Sequence, residues 1–244
     1  MTMELKKKAY HIPKSEDEKV SIDIAEADCQ AEGLVLTTWT SSFILSNQIH
    51  KIKIDHSQLH SDAYSVLELG AGTGLTGLST ACIWGTKTLL TDLPTIVPGL
   101  QVNVDLNANI LGREGASAAC GTLDWNQPDT IHMHSPGGDD DGKTIKMTED
   151  NKFPVILAAD TMYTEEHPKL ISRTVAKCLR RSSNARFIIC YAMRIAYIDP
   201  IREFWGLMEE EGLVVEQEGR EEIDLKEWDD EKLHEWAVFK WGDL

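Results

Sequence analysis

Apolar positions along this chain recur in two alternating periods, one suited to short buried strands and one to helices. Tyr64 to Leu69 is a β-favouring apolar run that ends in a cluster of glycines, and Leu75 to Trp84 follows at helical spacing. Thr86 to Thr91 predicts a buried strand ending at Asp92, Thr95 to Leu111 a helix stopped by Gly112, and Ser117 to Cys120 a short strand. Phe153 to Ala159 and Ala185 to Tyr191 are two further strands. The first leads into a helix over Glu165 to Arg180, the second into a helix capped by Asp199 with Pro200 at its first position and closed by Gly212. Leu213 to Gln217 and Leu233 to Trp241 are the last strands, joined by an acidic linker containing Trp228. Upstream, Thr38 to Ile52 has near-helical spacing with Trp39 at its entrance, and Val20 to Ile24 alternates as a strand within a polar lead-in. Asn126 to Lys152, rich in Gly, Asp and Pro, is expected to be an inserted surface loop.

Strands that alternate with helices need long crossovers, so the pattern implies a mainly parallel sheet with helices on both faces. Two closing strands without a helix between them add an antiparallel hairpin. The expected fold is therefore α/β and Rossmann-like: a seven-stranded, mostly parallel sheet with a terminal antiparallel hairpin strand. A length of 244 residues suits one large domain, expected over residues 63–244, with residues 1–62 as an N-terminal arm and lid helix.

Charge narrows the partners. The formal net charge is -16, and duplex affinity comes from lysines and arginines that release counterions, so nucleic acid is not expected as a partner. Acids concentrate between Glu203 and Glu235 and in the run Asp139-Asp140-Asp141; such runs are either solvated surface or a means of steering a basic partner. No stretch approaches the roughly eighteen apolar residues that span a bilayer. Met1 to Lys19 lacks the apolar run of a signal peptide, so no membrane contact and a cytoplasmic or nuclear location are expected. Cys29, Cys82, Cys120, Cys178 and Cys190 are scattered without a C-x-x-C pair and read as reduced core residues. The histidines form neither an H-E-x-x-H pattern nor a cluster with cysteine, so no metal site is expected; His132, His134 and His167 are assigned to solvent or packing. Neither a G-x-S-x-G elbow nor a phosphate-binding G-x-x-x-x-G-K-[ST] loop is present, which removes hydrolase and nucleotide triphosphatase readings. No heptads call for assembly, and a monomer is expected.

The sharpest chemical signal is Val66-Leu67-Glu68-Leu69-Gly70-Ala71-Gly72-Thr73-Gly74-Leu75-Thr76-Gly77, at the turn from the first sheet strand into its helix. Side chains there would block a ligand approaching the backbone. About twenty residues later the next strand ends in Asp92, where a carboxylate accepts hydrogen bonds from both hydroxyls of a ribose. The spacing Gly72-x-Gly74-x-x-Gly77 also satisfies the dinucleotide fingerprint. Glu68 and the closing hairpin favour S-adenosyl-L-methionine (S-adenosylmethionine) over a nicotinamide nucleotide, because a sulfonium cation prefers carboxylates and aromatic faces whereas pyrophosphate prefers a helix amino terminus. Asp160 and Tyr163 fall just beyond the fourth strand, at the rim where open α/β sheets carry reactive groups. Asp160 there orients a cationic amine beside the Tyr163 ring and hydroxyl, or caps, with Thr164, the helix that starts near Glu165, and the two roles are compatible.

The run Val66 to Gly77, then Thr91-Asp92-Leu93-Pro94 with Asn103 downstream, then Leu123-Asp124-Trp125, then Ala159-Asp160-Thr161-Met162-Tyr163, resembles the seven-strand methyltransferases with an Asp-x-x-Tyr signature, of the methyltransferase-like 21 and fungal elongation-factor methyltransferase type. The likeness covers roughly Gly33 to the carboxyl terminus. It implies S-adenosylmethionine as cofactor and a lysine of a protein as target, since the family is rich in protein-lysine methyltransferases, several of which modify translation elongation factors or chaperones. It implies cofactor contacts from Trp39, Glu68, Gly70, Ala71, Gly72, Gly74, Asp92, Leu93, Asp124, Trp125 and Ala159, with Asp160 and Tyr163 as the catalytic pair. Within that set Trp39 belongs to a lid, or else is a core residue fastening the first helix. Asp124 accepts from the adenine amine while Trp125 packs on the ring, or else Asp124 caps a turn. Two other functions share the same cofactor half: methylation of a small amine, and a non-catalytic protein that keeps the fold as a binding surface.

Overall fold

The computed structural model describes residues 7–26, 36–59, 63–135, 143–224, 228 and 231–244. Cys29, Gly33, the run Asp139 to Asp141 and, in the acidic linker, residues 225–227 and 229–230 lie outside the described residues. Strands β1 (Lys7–Pro13) and β2 (Lys19–Ala25) form an antiparallel hairpin of their own, followed by helix α1 (Thr40–Gln48). The main sheet starts at β3 (Val66–Leu69) and continues through α2 (Leu75–Trp84), β4 (Lys87–Asp92), α3 (Val97–Leu106), α4 (Ala108–Arg113) and β5 (Ser117–Thr122). After β6 (Thr130–Met133) and β7 (Thr144–Lys146) come β8 (Val155–Ala159), α5 (His167–Cys178), β9 (Arg186–Ala192), α6 (Ile198–Glu210), β10 (Leu213–Glu222) and β11 (Leu233–Trp241).

The strand order is β10-β11-β9-β8-β3-β4-β5-β6-β7. The five strands from β9 to β5 are parallel, and β11 lies antiparallel between β9 and β10, so the expected closing hairpin is present. All side chains of β3 and β8 are buried, as befits parallel strands covered on both faces, which is why their sequences show no polar alternation. The chain leaves β3 toward β4 on one side and returns to β8 on the other. This reversal opens a crevice beyond the carboxyl ends of the central strands.

The sheet has nine strands, not the expected seven. The additional pair, β6 and β7, comes from the segment expected to be loop: β6 pairs with the last residues of β5 and turns Ile131 into the core. Such short strands on a sheet edge need only one inward apolar residue, so the surrounding polar composition hid them. The expected helix from Thr95 to Leu111 divides at Asn107, whose buried amide donates to the carbonyls of Asp23 (2.7 Å) and Asn103 (2.8 Å) and accepts from the Asp23 N–H (2.9 Å). Asp199 lies inside the first turn of α6 rather than at its cap, which is Tyr197.

The lead-in is tied down by the same asparagine device. Asn103 accepts from the Ala25 N–H (2.8 Å) and donates to the carbonyls of Ala25 (3.2 Å) and Thr73 (3.0 Å). One side chain on α3 thus joins the edge of β2 to the glycine loop. The inward face of the hairpin, with Ile12, Val20, Ile22 and Ile24, packs into one cluster with Leu75, Leu78 and Leu100.

Candidate active site

The loop between β3 and α2 carries Gly70, Gly72 and Gly74 at positive φ, a region that side chains disfavour. Gly72 also borders open space: a Cβ there would meet nothing within 4 Å. Glu68 braces the loop from beneath. Its carboxylate, 1% exposed, accepts from the Gly77 N–H (3.0 Å), and its carbonyl accepts from the Thr91 hydroxyl (2.6 Å). Burial pushes the Glu68 carboxyl up to about 8, against the opposing pull of the Gly77 amide. A side chain on Gly77 would overlap Glu68 and Leu90, so glycine there allows α2 to approach the sheet.

Beyond the loop opens a cleft of about 470 Å³. Gly70, Gly72, Asp92 and Leu93 form one wall, and Asp124 and Trp125, just past β5, another. Trp39, Ala159, Asp160 and Tyr163 complete the rim. Ten of the thirteen residues singled out from sequence therefore converge on one cavity. Glu68, Ala71 and Gly74 do not line it; they shape its floor, with the Ala71 N–H donating to the Thr91 carbonyl (3.0 Å) and Gly74 capping α2.

Asp92 is held at both oxygens: Oδ2 accepts from the Gly72 N–H and Oδ1 from the Leu93 N–H, each at 2.7 Å. Burial raises its carboxyl while these two amides pull the other way. Asp124 accepts from the backbone and side-chain amides of Asn126 (2.8 and 3.0 Å), so it does stabilise a turn, at the cleft margin. Trp125 lies against the bare α-carbon of Gly70, where a Cβ would meet the indole at 3.3 Å.

Asp160 is the one non-glycine with positive φ among the described residues (56°), a strained conformation of the sort that persists where surrounding contacts enforce it. Its N–H donates to the Cys190 carbonyl (2.9 Å), and its carboxylate, 5% exposed, forms a two-pronged ion pair with Arg194 (2.7 and 2.8 Å). The Arg194 guanidinium also sits 5.7 Å from the centre of the Trp39 ring. Asp160 does not cap the following helix, whose cap, Glu166, makes no side-chain bond. Tyr163 packs edge-on against His167 (4.4 Å between ring centres), and His167 packs edge-on against Trp125 (5.5 Å). Burial lowers the His167 pKa and raises that of Tyr163.

Sequence reasoning missed Arg194 and His167. Arg194 follows β9 as Asp160 follows β8, so the rule that ligand groups gather beyond strand carboxyl ends, applied to one more strand, would have found it. His167, expected at solvent or in packing, does pack, against Tyr163 and Trp125, but nothing in the histidine spacing marks its place on the cleft rim.

A model of the lysine methyltransferase family matches residues 16–211. This chain belongs to that family. Among its family relatives, the protein-lysine N-methyltransferase EFM2 of Saccharomyces cerevisiae is 34% identical over 84% of this chain and 48% of its own length. The protein-lysine N-methyltransferase rrg1 of Schizosaccharomyces pombe is 31% identical over 84% of this chain and 61% of its own. The chain thus spans about half to three fifths of these two relatives. The fold is also that of magnesium protoporphyrin IX methyltransferase from Synechocystis PCC 6803, solved with bound S-adenosylmethionine: TM-score 0.52, 14% identity, 87% of this chain and 88% of that one.

Proposed function

We propose that this chain is an S-adenosylmethionine-dependent methyltransferase acting on a lysine side chain of a protein, a translation elongation factor being the first candidate. The observation that carries the reading is the convergence of the glycine loop, Asp92 and the Asp160–Tyr163 rim on one cleft, in a chain of the lysine methyltransferase family. The residues present fit the cofactor. Gly72 borders room that a side chain would take up, Asp92 has lone pairs left for ribose hydroxyls, and Trp125 with Asp124 offers a flat apolar face beside an acceptor for adenine. Leu93 and Ala159 line the same space, and Trp39 faces it from the amino-terminal side.

S-adenosylmethionine supplies an electrophilic methyl, which the target nitrogen takes with its lone pair as the carbon–sulfur bond breaks. The protein's share is to exclude water and to align a deprotonated amine. At neutral pH, freeing a lysine amine of its proton costs roughly 4 to 5 kcal/mol, because the pKa of free lysine is near 10.4. The half-buried rim lowers this cost by desolvating the ammonium, with the proton passing to water. Tyr163 would guide the side chain past its ring and hydroxyl. The reading includes a monomer working in the cytosol. No helix among the described residues is long and apolar enough to cross a membrane, and burial pushes the thiols of Cys82, Cys120 and Cys178 up to about 12, as suits reduced core residues.

Incubating the chain with radiolabelled S-adenosylmethionine and a lysate of cells lacking this protein tests the proposal. One labelled protein band, with the label on a lysine by mass spectrometry, is the expected result. Label confined to small molecules, or to no product while the chain binds the cofactor, would refute it.

A further inference from the structure

We infer that Arg194 is a positioning residue for the transfer: by neutralising Asp160 it lets that carboxylate orient the target amine without holding it in its protonated form. The inference rests on the function proposed above and adds a residue to it.

A lone carboxylate at the rim creates a conflict. It attracts a lysine ammonium, and by the same attraction raises the pKa of that ammonium and opposes loss of the proton. Arg194 removes the conflict by geometry. Its two terminal nitrogens take one lone pair from each Asp160 oxygen, at 2.7 and 2.8 Å, and leave the others free to accept an amine N–H. The pair is well shielded, with side chains 19% and 5% exposed, so its charges act on each other and on a neighbouring amine with little screening. Both residues line the cleft, and the turn that presents Arg194, closed by its own N–H to the Ala192 carbonyl (2.9 Å), sits at the end of the strand beside Asp160. The Trp39 ring flanks the guanidinium, 5.7 Å from it at the ring centre.

Other titratable groups line the cleft among the described residues. Asp92 and Asp124 lie on the far wall and Tyr197 lines the cleft; burial raises the Tyr163 phenol and lowers the His167 imidazole. Glu68, beneath the glycine loop with its carboxyl pushed up to about 8, titrates in the same pH range in every variant, so each profile is compared with that of the unaltered chain.

The test is the pH dependence of the labelling rate of the substrate band with the chain and S-adenosylmethionine in saturating excess over the lysate, which follows groups that titrate in the complex. S-adenosylhomocysteine binding by calorimetry checks that each variant is folded. Arg194→Met should move the alkaline rise upward by roughly one pH unit, costing about tenfold in rate at pH 7.5 and little near pH 10. Asp160→Asn should move it downward. The double variant should return the rise to its original position at a lower plateau, and Arg194→Lys should leave it nearly in place. If Arg194→Met misfolds, the downward shift in Asp160→Asn decides. Profiles that fall in parallel, scaled without displacement, would overturn the inference while leaving the proposed function standing. Absence of any labelled protein with the unaltered chain would overturn both.

Discussion

The Gly72 N–H reaches across from the end of β3 to donate to Asp92 Oδ2 at the end of β4, 2.7 Å away. A loop able to admit a ligand and the carboxylate proposed to grip it are thus one hydrogen-bonded unit. Asp92→Asn keeps the shape but replaces one acceptor oxygen by a donor facing an amide. We expect S-adenosylhomocysteine affinity to fall at least tenfold, about 1.4 kcal/mol, in calorimetry. Affinity within twofold of the unaltered chain would remove Asp92 from the cofactor site.

Gly72→Ala should act twice. At φ 54° the new Cβ costs roughly 1 to 2 kcal/mol of fold stability, and it takes up room at the cleft wall. Urea unfolding should register the first effect and a loss of more than tenfold in cofactor affinity the second. Gly112→Ala, in α4 with open space around it, is the control and should stabilise by about 0.5 to 1 kcal/mol. Equal behaviour of the two variants would show that Gly72 has no special place.

Glu68 makes stability depend on pH in a direction unusual for an acid. Its folded pKa is about 8 against 4.5 for the free group, so the folded chain holds a proton that the unfolded chain releases. This contribution is complete below pH 4.5, declines as pH rises from there to about 8, and is then lost. Glu68→Gln retains an acceptor for the Gly77 N–H without the charge. Its melting temperature, compared with that of the unaltered chain, should gain progressively between pH 5 and pH 8.5; a constant difference across that range would mean that Glu68 is ionised in the folded state.

Tyr163→Phe preserves the edge-on packing with His167 and removes only the hydroxyl. Protein labelling should drop tenfold or more while S-adenosylhomocysteine binds within threefold. Unchanged labelling would leave Tyr163 as a wall of the cleft and nothing else.

Much of this could be read from the order of residues because parallel strands and glycine turns leave local marks. The run Val66 to Leu69 with its glycines, and the alternation of strand and helix through Glu210, required no knowledge of distant contacts. What escaped depends on partners far along the chain. Strand β1 carries polar residues on its outer face and a closing proline, and becomes a strand only because β2 pairs with it. The split between α3 and α4 follows from Asn107 binding Asp23, eighty-four positions earlier. The pairing of Asp160 with Arg194 spans thirty-four positions with no periodicity to announce it. Residue type named Asp160 as chemically active; only the fold reveals what it is bonded to.

Asn103 gives the amino-terminal hairpin a reach beyond its own packing. Because one amide clasps both Ala25 and the Thr73 carbonyl, a proteolytic nick or register slip in β2 would be felt at the glycine turn before any residue facing the cleft was touched. The remote ribbon thereby serves as a tether whose release would slacken the proposed nucleoside seat.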